Sequence, residues 1–367
     1  MKIGILTFHN AINYGAVLQC YALKEYLSQR GHDVEVIDYR NPMLEEYDRI
    51  IPLNALKNAK GFLGKLKIIR RSILLNRKKR KIASVFNDFV RKFLNLSERY
   101  DSASDIPAIY DYIVFGSDQI WNPVLCGGFD DAYWGNFTKG SMKFVSYAAS
   151  IGNPSLLSDE EWNEVGLRLK VFDFISVRES LLGNIIEKRF TFPVSHCIDP
   201  TLLVDDKIMS KLAIPPKIKY YIFVYNVQID SDSEAFANYL AERLECKVVI
   251  GQAKPRTKRI RNNNENILID SASPEEFLGY IKNARLVIGN SFHSIALSIV
   301  FRKDFYSLDS KKPERITDLL RQLGLIHRHV KATDRNISME TINYEEVYKK
   351  LTRVRENSYR FISTCGL

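Results

Sequence analysis

Two α/β domains, each built on a parallel sheet, are predicted by three features of this 367-residue chain. Short apolar runs alternate with amphipathic helical stretches from the first residues onward, the pattern of βαβ units. The alternation stops at Ile214-Pro-Pro-Lys217, where paired prolines suit neither a helix interior nor a central strand, and then begins again. The length itself exceeds one ordinary core and suits two. The expected division is residues 1–212, residues 213–340, and a C-terminal helix over 341–367 that crosses back to the first domain.

Lys2 to Phe8 is the first strand, Gly15 to Arg30 a helix with Leu18, Ala22 and Tyr26 on one face, and Val34 to Tyr39 the next strand. The intervening loop, His9 to Ala16, does not spell GxGxxG, so no dinucleotide fingerprint is present. A basic helical insertion is expected over about residues 55–95. Strands follow at Tyr112–Gly116 and Lys143–Ala148, then a helix announced by the capping box Ser158-Asp-Glu-Glu161, a strand at Phe174–Val177 and a helix from Glu179. Beyond the prolines come Tyr220–Tyr225 (strand), Ser233–Leu244 (helix) and Lys247–Gly251 (strand). A second capping box, Ser273-Pro-Glu-Glu276, then precedes a helix and the strand Leu286–Ile288. Val347, Leu351 and Val354 recur at helical spacing near the end.

Hydrophobic content of 46% with 26% charged residues is that of a globular chain, not a disordered one. Five scattered cysteines without CxxC spacing argue for reduced thiols in a cytoplasm. No apolar run is long enough to cross a bilayer, and the N-terminal residues turn polar too soon for a signal peptide. The net charge of +10 is concentrated between Lys57 and Lys81, a stretch with no acidic residue. Phe62, Leu63, Leu66, Ile68, Ile69, Ile73, Leu74 and Leu75 are interleaved with those cations. Two readings are open, a helix lying on an anionic membrane surface and a solvated helix packed by one face. No nucleic-acid-binding module accompanies the charge, so nucleic acid is not an expected partner.

Function is concentrated where a strand runs into a polar tip and then an apolar helix, at Ala284 to Phe305. His293 stands at that tip. Side chains at a strand's carboxyl end and free N–H groups at a helix start face one crevice, and an imidazole there can move a proton near neutral pH. The alternative is that His293 merely caps the helix. His327 and His329 lack a carboxylate or cysteine partner at ligand spacing, so a metal-independent reaction is expected.

Six motifs stand in series: Asn13-Tyr-Gly-Ala-Val-Leu-Gln19, Phe115-Gly-Ser-Asp-Gln-Ile-Trp-Asn-Pro123, Tyr147-Ala-Ala-Ser150, Ser176-Val-Arg-Glu179, Asp199-Pro-Thr-Leu-Leu203 and Asn290-Ser-Phe-His293. In that order and over nearly the whole chain they resemble the polysaccharide pyruvyl transferase family. The resemblance implies two Rossmann-like domains facing a cleft, similar to GT-B glycosyltransferases. It implies transfer of a pyruvyl group from phosphoenolpyruvate to hydroxyls of a sugar in a surface polysaccharide or its precursor, forming a pyruvate ketal. The acceptor would be lipid-linked or nucleotide-linked, and no cofactor is expected beyond the donor substrate. Departures from the family pattern are Gly289-Asn290 where Thr-Asp is usual, Ser294 for a customary Gly, and Glu314 before Arg315.

Carried onto this chain, the resemblance makes Arg178 the residue that grips the donor's carboxylate or phosphate by its planar fork. His293 becomes the general acid that protonates the methylene carbon, and Asp118 the base that relieves the attacking hydroxyl. Alternatives are that Arg178 pairs with Glu179 and that Asp118 forms an Asx turn. Asn13, Tyr14 and Gly15 offer a helix start to a phosphate; Ser117, Asn290 and Ser291 can add hydrogen bonds; Arg315, and after it Lys303, can add charge. Lys254, Arg256, Lys258, Arg259 and Arg261 form a basic loop that can meet a pyrophosphate. Two other functions fit the same chain: a glycosyltransferase using a nucleotide sugar, and a non-catalytic subunit that recruits polysaccharide enzymes to the membrane.

Overall fold

The first sheet starts from a run that is apolar enough to be buried on both faces, as parallel strands covered by helices must be. A computed structural model describes residues 1–48, 61–226, 231–252, 266–309 and 314–367. Seven strands, β1 (Lys2–Leu6), β2 (Asp33–Tyr39), β3 (Leu96–Tyr100), β4 (Tyr112–Phe115), β5 (Lys143–Ala149), β6 (Phe174–Val177) and β7 (Val194–His196), pair in the order β3-β2-β1-β4-β5-β6-β7. Every pairing is parallel.

Six further strands form a second sheet: β8 (Tyr221–Tyr225), β9 (Lys247–Gly251), β10 (Ile267–Ile269), β11 (Leu286–Gly289), β12 (Phe305–Leu308) and β13 (His329–Val330), in the order β10-β9-β8-β11-β12-β13. This sheet too is parallel throughout. The fold class is therefore the expected one, two parallel-sheet α/β lobes.

Both capping boxes form as their sequences require. Ser158 and Glu161 exchange hydrogen bonds ahead of the helix Asp159–Leu169, and Ser273 and Glu276 do so ahead of Pro274–Asn283. Such caps satisfy N–H groups that the first helical turn leaves without partners. The basic insertion is a 33-residue helix, Gly61–Phe93. Its second half buries Ile82, Phe86, Phe89 and Val90, with Phe86 against Tyr14 and Phe89 against Tyr21.

The last helix, Tyr344–Cys365, begins on the second lobe, where the Tyr348 hydroxyl donates to the Val300 carbonyl at 2.9 Å. It ends on the first, where the Ser358 hydroxyl accepts from the Ile198 N–H at 3.0 Å and Arg355 Nε donates to the Leu202 carbonyl at 2.6 Å. Burial of Leu351, Phe361 and Ile362 fixes it there, each contributing about 1.5–3 kcal/mol. No helix among the described residues is long and apolar enough to cross a membrane. All five cysteines are unpaired thiols.

Candidate active site

In each sheet the strand order reverses beside the first strand, between β1 and β4 and again between β8 and β11. A crevice opens outside the carboxyl ends of the strands at such a point. The helix Tyr14–Gln29 starts from the first reversal and Phe292–Val300 from the second, and their N-termini meet. A Cβ built on Gly15 would lie 1.9 Å from His293 Nδ1, so only glycine fits. Two helix starts thus bring partial positive charge and unsatisfied N–H groups to one place between the lobes.

Arg178 follows directly on β6 and is almost fully buried. Its Nη1 donates to Asp199 Oδ2 at 3.0 Å and its Nε to Glu179 Oε1 at 3.1 Å, while Asp118 Oδ1 lies 3.9 Å from Nη2. The guanidinium carbon stands 5.0 Å from the Phe292 ring centre, close enough for a cation–π contact. Burial works against the charge, but Glu179 and Asp199 outweigh it and hold the guanidinium above its ordinary pKa. Nη2 nevertheless has no hydrogen-bond partner.

Asp199 is the hinge of the cluster. One oxygen caps the short turn Pro200–Leu203, accepting from the Thr201 N–H at 3.0 Å and its hydroxyl at 2.7 Å. The other meets Arg178, and His293 Nε2 lies 3.3 Å from it, outside hydrogen-bond alignment. Burial pushes the Asp199 carboxyl up, but the charge of His293 and then that of Arg178 overcome this and hold it well below the carboxylate range. An ionised carboxylate beside an imidazole orients the ring.

From the second lobe, Arg315 in the helix Glu314–Leu323 lines a narrow cleft together with Arg178, Asp199, Phe292 and Asp318. Burial, and next the charge of Arg178, lower its pKa. The lobes also touch here through the Ser180 hydroxyl, which donates to Asp318 Oδ2 at 3.3 Å.

The structure thus brings Arg178, His293, Asp118 and Arg315 together with Gly15. A simple cationic pocket it is not: Asp118, Glu179 and Asp199 face the two guanidiniums and the imidazole. The pairing of Arg178 with Glu179, left open in the sequence, is observed. Two other candidates are spent on structure. Ser117 is fully buried and its hydroxyl donates to the Ala148 carbonyl at 3.0 Å, which turns it away from any ligand. Tyr14 stacks on Phe277 at 4.2 Å and donates to the Ala272 carbonyl at 2.8 Å, so it joins the lobes and offers no hydroxyl to a phosphate.

Asn13 caps its own helix through the Gly15 N–H at 2.9 Å. Asn290 and Ser291 lie half-buried at the turn before His293, the Ser291 carbonyl accepting from the Ser294 hydroxyl at 2.8 Å. Lys303 precedes β12 at the opposite, amino end of the second sheet, where it lines a depression with Arg285 and Pro216, and so adds no charge to the cleft. The basic loop from Lys254 to Arg261 lies outside the described residues. Among the described residues no three His, Cys, Asp or Glu side chains converge as a metal-binding set. Sequence reasoning gave no role to Asp199, although an Asp directly before Pro200 is an N-cap signature that leaves one carboxylate oxygen for other work.

The class is now defined: a two-lobed α/β protein with an arginine–carboxylate–histidine cluster in the cleft between its sheets. Residues 13–312 match the model of the family Polysaccharide pyruvyl transferase, and the chain belongs to that family. Membership places it among the transferases of polysaccharide synthesis. None of the curated proteins matches the sequence. Among solved structures, the UDP-GlcNAc 2-epimerase of Methanocaldococcus jannaschii is 13% identical, with 96% of this chain and 92% of that one covered and a TM-score of 0.47. The glycosyltransferase SnogD of Streptomyces nogalater is 11% identical, with 97% and 94% covered and a TM-score of 0.44.

Proposed function

We propose that this protein transfers the pyruvyl group of phosphoenolpyruvate to two hydroxyls of a sugar in a surface polysaccharide precursor, forming a cyclic ketal and releasing phosphate. The observation that carries the reading is the Arg178–Asp199–His293 cluster, in which polar atoms of two basic side chains remain unpartnered in a buried cleft. Leaving such groups unsatisfied costs free energy, which an anionic ligand recovers. Arg178 and Arg315 repel one another across the cavity, and a carboxylate or phosphate between them removes that repulsion. The two helix starts add to its hold on an anion.

Chemistry begins when His293 gives a proton to the methylene carbon of the donor, making that carbon a methyl and leaving the adjacent carbon oxocarbenium-like. The first sugar oxygen attacks there and its proton passes to Asp118. Cleavage of the carbon–oxygen bond to phosphate regenerates the cationic centre. The second hydroxyl adds and passes its proton to the now neutral His293 as the ring closes, and the proton held by Asp118 leaves with the phosphate. Asp199 orients His293 and, unlike His293, stays ionised throughout.

Incubation with phosphoenolpyruvate and a lipid-linked or nucleotide-linked sugar tests this. Phosphate release with a mass gain of pyruvate less water is expected. Release of a nucleoside diphosphate from a nucleotide sugar, without consumption of phosphoenolpyruvate, overturns it in favour of glycosyl transfer.

A further inference from the structure

A second cavity, of about 380 Å³, opens on the same carboxyl edge of the first sheet, beyond β1 and β2. It lies three to four strand spacings from β6, or ~14–19 Å from Arg178 along the edge. Phe8, Tyr39, Phe86 and Tyr133 give it aromatic walls, and Arg40 and Asn87 give it polar ones. That mixture suits a sugar, whose rings have apolar faces and hydroxylated rims.

The wall containing Phe86 and Asn87 is the second half of the helix Gly61–Phe93. An ion pair between Lys78 and Asp270 and the packing of Phe86 on Tyr14 tie that half to both lobes. The first half is different. Phe62 is 78% exposed, Leu63 80% and Ile73 65%, with Leu66 and Ile69 exposed beside them. Residues 62, 66, 69 and 73 recur at helical spacing and form one stripe. Lys65 and Arg70 flank it on either side, and no acidic residue occurs from Lys57 to Lys81. Apolar surface of this extent needs a partner, and cations without a single acid select an anionic one with apolar depth, a bilayer surface.

We propose that this helix seats the protein on an anionic membrane and that the cavity along its second half receives the saccharide of a lipid-linked acceptor. The acceptor half of the inference rests on the pyruvyl-transfer reading above; the membrane half does not. Ten helical residues separate Ile73 from Ala83 at the cavity, ~15 Å along the axis. A sugar held off the membrane by a phosphate linker enters at that height. A nucleotide-linked acceptor needs no membrane seat.

Flotation with vesicles of phosphatidylcholine and phosphatidylglycerol tests the seat. The protein is expected to float with these vesicles, to stay behind with phosphatidylcholine alone, and to be released by high salt. The variant carrying Phe62→Glu, Leu66→Glu, Ile69→Glu and Ile73→Glu should lose at least tenfold in bound fraction with an unchanged circular dichroism spectrum. Failure of the natural protein to float, or a variant that only dissociates a dimer, overturns the seat. For the acceptor, radiolabelled phosphoenolpyruvate is added with membranes of the producing cells. Label should enter the chloroform–methanol extract, and less of it with the variant. Label confined to water-soluble nucleotide conjugates overturns the lipid-linked acceptor and leaves pyruvyl transfer standing. Absence of label from every fraction, with flotation intact, overturns both the acceptor and the pyruvyl-transfer reading and upholds the seat.

Discussion

The same three residue types meet twice on the carboxyl edge of the first sheet, as Arg178–Asp199–His293 and as Arg40–Asp38–His9. In the second trio every ring nitrogen is occupied: His9 Nε2 lies 2.8 Å from Asp38 Oδ1 and Nδ1 lies 3.2 Å from the Thr7 carbonyl. Arg40 Nη2 adds a 2.9 Å bond to Asp38 Oδ2, while its Nε is in ion-pair contact with Asp38 Oδ1 without an aligned hydrogen bond. All three side chains come from adjacent strand ends of one lobe. The first trio joins both lobes and leaves Arg178 Nη2 and His293 Nε2 without hydrogen-bond partners. Composition does not separate a scaffold from a reactive site. An unspent imidazole nitrogen in the cleft between the lobes does, since a satisfied ring is held rigid while an unsatisfied one gains from a ligand.

The sharpest way to break that comparison is to remove each histidine in turn. His293→Asn should lower kcat about 10²–10⁴-fold, the range for loss of a general acid, with unchanged thermal stability. His9→Asn should hold kcat within a few-fold and cost about 1–3 kcal/mol in urea unfolding, because partners of a buried group are orphaned. Steady-state phosphate release and chemical denaturation read the two effects. The reverse pattern would exchange the roles of the trios.

Gly15→Ala is the next largest. The added methyl would fall within 1.9 Å of His293 Nδ1, and the ring must move to admit it. A displacement of this order costs about 10²-fold in kcat. Assays of phosphate release at saturating donor should show the loss with the fold intact, and activity equal to the natural protein would show that the ring position is not critical. Arg178→Lys follows, since a lysine keeps the charge but loses the fork. We expect a ~10–100-fold rise in KM for phosphoenolpyruvate, read by initial rates, against little change for Arg40→Lys.

The sequence made the sheets legible where burial on both faces forces an apolar run. All four residues of β4 (Tyr112–Phe115) are buried, and the strand is unmistakable. β3 was not, because an edge strand reading Leu-Ser-Glu-Arg-Tyr has neither a run nor a clean alternation. The short strands β7, β10 and β13 carry too few residues for any period to register. At the site, Arg178 was legible because it ends a recognisable strand, and His293 because it opens the helix that follows one. Their approach through Asp199 was not, for 115 residues separate Arg178 from His293 and only the docking of the lobes unites them. Tyr14 and Ser117 show the same limit from the other side. A polar residue at a helix start or strand end looks available until tertiary packing covers it.

Acid titration gives the smallest effect and separates the trios without touching activity. Burial pushes the Asp38 carboxyl up, but bonds from His9 and then Arg40 reverse this and lower it from 3.8 to about 2. A carboxyl depressed in the folded state binds its proton more readily when unfolded, so its contribution is complete above pH 3.8 and is lost as the pH falls through about 2. That difference corresponds to about 2 kcal/mol. Asp38→Asn should therefore lower stability at neutral pH and flatten the acid limb of the unfolding curve between about pH 4 and pH 2. Asp199, also depressed, goes on contributing to the acid limb within that window and below it in the same variant. A limb as steep in Asp38→Asn as in the natural protein would mean that the His9–Asp38–Arg40 trio is not what holds the strand ends of β1 and β2 together.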